Sequence, residues 1–361
     1  MRLAIVCSWL NQYGGAERVL EVLHDMYPQA PLYTSIYRPE TLPSSYANWD
    51  IRPSFLNKLP LAKSHHQIFL PLYPVAFESM DFRGYDVVLS VTSAFGHGII
   101  TPAETAHVCY CLTPTRFLWS YTAYIEREGL GALARSALPM FLKNLRLWDR
   151  AAADRVDQFV AISRTVQKRI QKYYRRSSDI VYPPVDTEGE AGLDEREDYF
   201  LIVSRLVPYK RVDLAVQAFN QLGLPLRIVG DGRDRGALQS MAAPNIQFLG
   251  YVSDEEKRSL MARCRAFLFP GEEDFGIAPL EAMAAGSPVI AYSAGGALDT
   301  VEDGTTGVFF EQLSPDSLIG AVHRFSEQTF DPHVLAEHAA RFGSDRFRQE
   351  MDTVLLEASR R

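Results

Sequence analysis

Three acidic side chains, Glu272, Glu273 and Asp274, lie together in the second half of the chain, directly after a short apolar run. The run, Ala266–Phe269, stops at Pro270-Gly271, as a buried parallel strand commonly does. Carboxylates in such a loop repel phosphate and suit an uncharged, hydroxyl-rich group. The spacing therefore predicts a strand followed by a loop that binds hydroxyls.

A helix should begin just beyond these acids and run from Pro279 to Ala285, because proline is favoured at the first helical position. The backbone amides of Gly276, Ile277 and Ala278 would then lie at a helix N-terminus, where unpaired N–H groups and the helix dipole attract an anion. An acidic loop beside a phosphate-sized anion site fits a sugar attached to a nucleoside diphosphate.

Alternating apolar runs and helical patterns supply the elements that would position this site. The predicted strands are residues 3–8, 85–91, 106–112, 158–162 and 179–182 in the first half, and 199–204, 226–230, 246–249, 266–269, 289–292 and 307–310 in the second. Strands that alternate with helices form parallel, doubly wound sheets. We therefore predict an α/β protein.

The length of 361 residues exceeds one ordinary domain. Pro183-Pro184 cannot continue a helix or a central strand, and an acidic stretch poor in apolar residues follows. The predicted domains are 1–183 and 184–342. The charged helix in 343–361 is expected to cross back to the first domain.

The pair Glu273 and Glu281, separated by DFGIAPL, resembles the E-x7-E signature of retaining GT-B glycosyltransferases of family 4, the group 1 glycosyltransferases. The resemblance implies two Rossmann-like domains that face each other across a cleft. It also implies that Glu273 contacts the hexose near its reacting carbon and that Glu281 binds the ribose hydroxyls. Between them, the resemblance places Phe275, Gly276, Ile277 and Leu280 at the donor.

Other second-domain segments resemble the same family. Ser204-Arg205-Leu206 followed by Lys210 is similar to its SRLxxxK motif, in which two cations grip the donor diphosphate and stabilise the charge on the leaving group. Gly230 begins a turn that would let the backbone approach the nucleotide, and Tyr251 and Val252 correspond to backbone that meets the base.

The first domain carries the expected acceptor-side residues. Tyr13 precedes Gly14-Gly15, whose GGAER segment resembles the family's first loop, which touches the donor diphosphate and the acceptor. Thr113–Trp119, with Arg116, resembles the HTPxRxxW segment of O-antigen and capsule mannosyltransferases, except that Leu112 replaces the histidine. Either His97, in a glycine-flanked loop, supplies that contact with the sugar or none is needed.

No D-x-D triplet, the usual carboxylate clamp for a metal on a nucleotide-sugar, is present in the sequence. We therefore expect no metal and no cofactor, with the nucleotide-sugar as substrate. The four cysteines lie in apolar contexts and are predicted to be reduced core residues. A P-loop and a complete G-x-G-x-x-G are also missing, which disfavours ATP hydrolysis and hydride transfer.

Charge is unevenly distributed along the chain. The net charge of −7 argues against nucleic acid as a partner, yet residues 131–176 carry 11 basic and 3 acidic side chains. A basic amphipathic stretch can lie on an anionic membrane surface, with Leu138, Met140, Phe141, Leu145 and Trp148 toward the lipid. An ordinary solvated helix face explains the pattern equally well. With no apolar run of about 20 residues and no signal-peptide pattern, a cytoplasmic location is expected.

The resemblance implies a retaining, metal-independent hexosyltransferase that acts on a glycan or lipid-linked glycan in surface polysaccharide synthesis. The subfamily favours GDP-mannose as donor. The alternatives are a UDP-sugar-dependent transferase, a GT-B nucleotide-sugar epimerase, and a non-catalytic nucleotide-sugar sensor.

Overall fold

The computed structural model describes residues 1–63, 66–119, 132–187 and 196–360, and divides the chain into two compact units. Unit 1 comprises Met1–Pro184 and Phe347–Arg361, and unit 2 comprises Val185–Arg346. Much of the predicted acidic linker, residues 188–195, lies outside the described residues.

Unit 1 contains a parallel sheet of seven strands. They are β1 (Leu3–Cys7), β2 (Leu32–Thr34), β3 (Ile51–Pro53), β4 (Val87–Thr92), β5 (Ala106–Cys111), β6 (Gln158–Ala161) and β7 (Ser178–Ile180). Their order is β3-β2-β1-β4-β5-β6-β7. The chain therefore builds outward from β1 in one direction and then, from β4, in the other.

The α-helices described in unit 1 cover or flank this sheet. They are α1 (Gly15–Met26), α2 (Tyr73–Glu78), α3 (Arg116–Trp119), α4 (Ala132–Ala152) and α5 (Arg164–Tyr174). Short 3-10 helices fill much of residues 39–72.

Unit 2 repeats the design with six parallel strands. They are β8 (Phe200–Val203), β9 (Leu226–Val229), β10 (Ile246–Gly250), β11 (Ala266–Phe269), β12 (Val289–Tyr292) and β13 (Gly307–Phe310), in the order β10-β9-β8-β11-β12-β13. The helices are α6 (Val212–Leu222), α7 (Arg235–Met241), α8 (Asp254–Arg263), α9 (Ile277–Ala284), α10 (Ala297–Thr300), α11 (Pro315–Ser326) and α12 (Pro332–Ala340).

The last helix, α13 (Ser344–Ala358), starts within unit 2 and belongs to unit 1 from Phe347 onward. Phe347 lies edge-on to Tyr110 of β5, with ring centroids 5.7 Å apart. Asp352 accepts a 2.6 Å hydrogen bond from the Tyr27 hydroxyl at the end of α1. The helix is thus anchored at two places in unit 1.

Each sheet is buried by apolar side chains, which explains the near-continuous apolar strands of the sequence. In unit 2 the core includes Phe200, Leu214, Phe219 and Ile228. The doubly wound α/β architecture predicted from the sequence is confirmed in both units. The four cysteines are buried and free, as predicted.

Several elements differ from the predictions. Strands β2 and β3 were not predicted, because each has only three residues in a segment rich in proline and serine. Helix α9 begins at Ile277, so Pro279 occupies its third position rather than its first. Proline is tolerated there because the amides of the first turn have no partner within the helix.

The proposed lipid-facing side of residues 131–176 is wrong where the structure describes it. Leu145 is buried in the core of unit 1, and Trp148 packs against that core and donates to Glu78 at 2.7 Å. The side chains of Leu138, Met140 and Phe141 lie outside the described residues. In the described part of the chain, no helix is both long and apolar enough to cross a membrane.

Candidate functional site

The predicted donor residues gather where the strand order of unit 2 reverses. Strand β8 pairs with β9 on one side and with β11 on the other, and both neighbours are parallel to it. Ligands of doubly wound sheets bind beyond the carboxyl ends of the strands at such a reversal. The loops after β8 and β11 carry Lys210 and Glu273, respectively.

Lys210 and Glu273 form an ion pair between the Nζ and Oε2 atoms. Their side chains are only 16% and 21% exposed, so water screens the pair less than it would a surface contact. Sequence spacing could not reveal this pairing. It brings a cation suited to phosphate and a carboxylate suited to sugar hydroxyls into direct contact.

Three glycines allow the loops to approach this closely. A Cβ atom on Gly271 would lie 2.8 Å from the carbonyl oxygens of Tyr209 and Lys210. At Gly295 it would collide with the carbonyl oxygen of Glu273, and at Gly296 with Phe275 backbone. The Gly296 amide also donates to the Glu273 carbonyl at 2.8 Å. The turn after β12 therefore packs against the backbone of the acidic loop and holds it in place.

The N-terminus of α9 follows the acidic loop, as the sequence predicts. Gly276 precedes the helix with a φ of +100°, which favours glycine, and no side chain caps the helix there. The amides of its first turn therefore remain suited to an anion. Among the residues placed at the donor by resemblance, Phe275 and Leu280 have buried side chains: Phe275 is 3% exposed and packs near Phe342, and Leu280 is fully buried. Their side chains shape the core, so only their backbone could meet a ligand.

Glu281, on α9, has a partner that sequence reasoning missed. Lys257 of α8 donates to its Oε1 atom at 3.1 Å, and the two side chains are 13% and 11% exposed. Lys257 also lies 3.4 Å from Asp254. Ser253 caps α8 by accepting a 3.1 Å hydrogen bond from the Glu256 amide. Only the packing of α8 on α9 reveals the Lys257–Glu281 pair.

The predicted cations both lie against Tyr209, which sequence reasoning did not single out. Arg205 donates to the Tyr209 hydroxyl at 3.3 Å, and the Lys210 ammonium is 5.3 Å from the centre of its ring. Arg205 is exposed, and Ser204 contacts the Arg205 carbonyl at 3.3 Å. The two cations therefore share one loop surface at the carboxyl edge.

Gly230 has a structural reason of its own to be glycine. Its φ is +122°, and a Cβ atom there would collide with the Ser204 carbonyl oxygen. It packs the loop after β9 onto the loop after β8. Beyond β10, Tyr251 is 88% exposed and Val252 partly exposed, so both are accessible.

Unit 1 has its own reversal point, between β1 and β4. The Ser8 hydroxyl joins the loops after these strands by contacting Thr92 Oγ1 at 2.9 Å and the Ala94 carbonyl at 2.8 Å. Gly14, in an extended conformation, precedes α1, which starts at Gly15 with no side-chain cap. A Cβ on Gly14 would meet only ordinary contact distances, so the fold itself does not require glycine there.

Tyr13 precedes these glycines and is 40% exposed. Its hydroxyl donates to Glu21 at 2.9 Å. Burial raises the pKa of the Tyr13 phenol to about 12, and the hydrogen bond to Glu21 adds to this shift. The Tyr13 phenol therefore keeps its proton near neutral pH.

His97 does not occupy the position that we considered for it. It is 2% exposed, its Nε2 atom lies 3.2 Å from the Asp149 carbonyl oxygen, and its ring packs 5.3 Å from Tyr174. A buried imidazole cannot touch a sugar unless the loop rearranges, which contradicts the acceptor-side prediction. Arg116, by contrast, lies at the start of α3 and is partly exposed.

Within residues 1–63, 66–119, 132–187 and 196–360, no group of three or more histidine, cysteine or acidic side chains is arranged to hold a metal ion. Arg205, Lys210 and the N-terminus of α9 lie at the carboxyl edge of the unit 2 sheet.

Comparison with known proteins connects this geometry to chemistry. Residues 185–343, nearly all of unit 2, match the family model described as glycosyl transferases group 1. A GDP-mannose-dependent alpha-mannosyltransferase of Mycobacterium tuberculosis is 39% identical over 342 residues, which cover 90% of this chain and 88% of that protein.

Other relatives match over a shorter span. An uncharacterized glycosyltransferase of Methanocaldococcus jannaschii is 28% identical over half of this chain, and the chain spans about half the length of that relative (53%). Among solved structures, Anabaena Alr3699/HepE in complex with UDP superposes with a TM-score of 0.72 at 18% identity, covering 99% of this chain and all of that one. This likeness establishes the GT-B fold.

We expect Lys257→Met to weaken the binding of GDP on the order of tenfold, because it leaves the largely buried Glu281 carboxylate without its cation. Isothermal titration of the purified variant with GDP measures the effect. Arg258→Met, on the same helix but 59% exposed, is the matched control and should bind like the wild type. Equal affinities for the two variants would remove the Lys257–Glu281 pair from nucleotide binding.

Proposed function

Because this chain belongs to the group 1 glycosyltransferases, we propose that it transfers mannose from GDP-mannose, with retention of anomeric configuration, to a glycan or lipid-linked glycan. The observation that carries the proposal is the Lys210–Glu273 pair at the reversal point of the unit 2 sheet. A cation for the leaving diphosphate and a carboxylate for the hexose are both needed there.

The donor identity is supported by a relative that covers most of the chain. The protein that is 39% identical is a GDP-mannose-dependent alpha-mannosyltransferase. The structural neighbours solved with UDP are too distant in sequence to argue for a uridine donor, because below 25% identity they share only the fold. GDP-mannose is therefore the donor that we propose.

The diphosphate would lie between the loop after β8 and the start of α9. Arg205 and Lys210 border that space, and the first amides of α9 add the positive end of the helix dipole. These fixed positive groups stabilise the charge that develops on the leaving phosphate. They would perform the role of a metal ion, so the proposed reaction is metal-independent.

Glu273 would orient the hexose and stabilise positive charge at its anomeric carbon. When a diphosphate engages Lys210, it competes with Glu273 for the ammonium group, and the carboxylate becomes available to sugar hydroxyls. In the proposed front-face substitution, the acceptor oxygen replaces the phosphate oxygen at the anomeric carbon, and the leaving phosphate oxygen takes the acceptor proton. Glu281, held by Lys257, would fix the ribose.

We also propose that unit 1 brings the enzyme to an anionic membrane surface where a lipid-linked acceptor is presented. The surface that we propose is the exposed face of α5, because Leu145 and Trp148 of α4 pack in the core of unit 1. Three exposed cations lie four residues apart along this face, namely Arg164, Lys168 and Lys172. Val166 and Ile170 are buried on the other face of the helix.

The proposal is tested by incubating the purified chain with GDP-mannose or UDP-glucose in EDTA, without acceptor, with manno-oligosaccharides, or with a polyprenyl-diphosphate-linked glycan. We expect acceptor-dependent GDP release from GDP-mannose and an α-linked product by NMR. Turnover of UDP-glucose alone would favour the UDP-sugar transferase. Conversion of the donor without acceptor would indicate the epimerase, and binding without turnover the sensor. Strict dependence on Mg²⁺ or Mn²⁺ would contradict metal independence.

We expect Arg205→Ala and Lys210→Ala each to lower kcat by roughly 10²-fold or more, the usual effect of deleting a preorganised charge at a developing anion. Initial rates at saturating GDP-mannose measure the change. Arg265→Ala is the control, because Arg265 precedes β11 at the opposite edge of the sheet and pairs with Asp198 at 2.9 Å. Near-normal rates in both site variants would exclude the two cations from the mechanism.

The membrane proposal predicts that the protein cosediments with liposomes containing anionic lipid at low salt, but not with neutral liposomes or at high salt. Three cations near such a surface contribute about 3 kcal/mol in total, which salt weakens. Lys168→Glu combined with Lys172→Glu should abolish sedimentation, whereas Arg2→Glu with Arg83→Glu, an equal change of exposed charge, should not. Loss of binding in both double variants would indicate a net-charge effect without a dedicated surface.

A further inference from the structure

A buried carboxylate in unit 1, Asp149 of α4, joins the loops at the carboxyl edge of the sheet. It is fully buried and accepts a 2.7 Å hydrogen bond from Thr115 Oγ1 at its Oδ1 atom. The Trp119 indole donates to its Oδ2 atom, also at 2.7 Å. An indole N–H can only donate, so this oxygen must be an acceptor.

Two further groups complete the cluster. The Tyr174 hydroxyl, at the end of α5, donates to Oδ2 at 2.9 Å. His97, from the loop after β4, places its Nε2 atom 3.5 Å from Oδ1. Burial raises the pKa of the Tyr174 phenol well above its ordinary value, and the Asp149 charge adds to the rise, so the phenol keeps its proton.

A buried charge is costly unless several donors hold it in place. Short hydrogen bonds to an ionised carboxylate are about twice as strong as neutral ones and fix the geometry of the donors. The donors to the carboxylate come from the segment after β5 and the end of α5, while His97, from the loop after β4, contacts the Asp149 carbonyl oxygen at 3.2 Å. Asp149 thus ties three separate parts of the chain to α4.

The segment after β5 is the part most dependent on this carboxylate. Thr115 and Trp119 flank Arg116, the single cation of residues 112–119. A second contact from α4, a 2.6 Å hydrogen bond from Arg146 Nε to the Leu118 carbonyl, holds the same turn. The segment lies one strand away from the β1/β4 reversal point, where ligands of this sheet type bind.

We propose that Asp149 is a positioning residue that fixes residues 113–119, and with them Arg116, for binding of the acceptor. The inference rests on the proposed function, because it needs a ligand that meets unit 1 during transfer. Asp149 itself does not touch the ligand, since it is fully buried. Its effect reaches the acceptor through the backbone of the segment that it holds.

Two tyrosines provide a matched test. Tyr174→Phe removes a buried hydroxyl that donates to Asp149, and Tyr110→Phe removes an equally buried hydroxyl that donates to the Val181 carbonyl at 2.9 Å. Trp119→Phe removes a second hydrogen-bond donor to Asp149, and Asp149→Asn removes the negative charge of the carboxylate. Hydrogen exchange is measured on peptides covering residues 113–119 in each intact variant.

We expect exchange in residues 113–119 to rise severalfold in Tyr174→Phe and Trp119→Phe and to stay at the wild-type rate in Tyr110→Phe. In transfer assays, kcat/KM for the acceptor should fall about tenfold in the first two variants and up to 10²-fold in Asp149→Asn, because small misplacements of binding groups are costly. The Kd for GDP, which unit 2 binds, should stay within about twofold of the wild type, a split that general destabilisation would not produce.

The proposal is overturned if Tyr174→Phe and Trp119→Phe show the same hydrogen exchange and the same acceptor kcat/KM as Tyr110→Phe. This outcome is decisive even if Asp149→Asn fails to fold. Increased exchange with unchanged acceptor kinetics would also overturn it, since Asp149 would then be only structural. If the wild type transfers mannose to no acceptor, the proposed function fails. Hydrogen exchange needs no GDP-mannose, so it still decides whether Asp149 fixes residues 113–119.

Discussion

The ion pair between Lys210 and Glu273 is the contact on which the site of unit 2 depends. Both residues follow strands that are neighbours in the sheet but far apart in the chain, because the strand order reverses between β8 and β11. The contact also requires backbone to approach backbone. Gly271 lets the loop after β11 lie against Lys210, and Gly295 lets the turn after β12 lie against Glu273. A side chain at either position would separate the two charges.

The sequence predicted the parts of this site that depend on local chemistry. The acidic loop, the glycine before α9 and the cations after β8 are all recognisable in short segments, and the structure places them at one edge of one sheet. Most strands were equally recognisable because they are buried and continuously apolar, whereas the three-residue strands β2 and β3 were not. The predicted start of α9 at Pro279 was two residues too late, since proline is tolerated at more than one position of the first turn.

Contacts between distant segments could not be predicted in the same way. The Lys257–Glu281 pair depends on how α8 packs against α9, and the Asp149 cluster depends on α4, α5 and two loops meeting in one core. His97 shows the opposite error. Its glycine-rich loop suggested an accessible binding residue, but the same glycines let the loop fold inward, and the imidazole is buried beside Asp149.

Glu273 and Asp149 illustrate two uses of a carboxylate in one chain. Glu273 keeps a fifth of its side chain exposed and has an ammonium partner, which is a mobile point charge that an incoming phosphate can attract away. Asp149 has no exposed surface, and its oxygens accept from hydroxyl and indole groups fixed by their own packing. If a ligand replaced those donors, each donor would be left buried without a partner. The free energy lost in this way exceeds the free energy that a new hydrogen bond contributes. The partly exposed carboxylate of Glu273 is therefore suited to a ligand, and the buried carboxylate of Asp149 is suited to holding the segment after β5 in place.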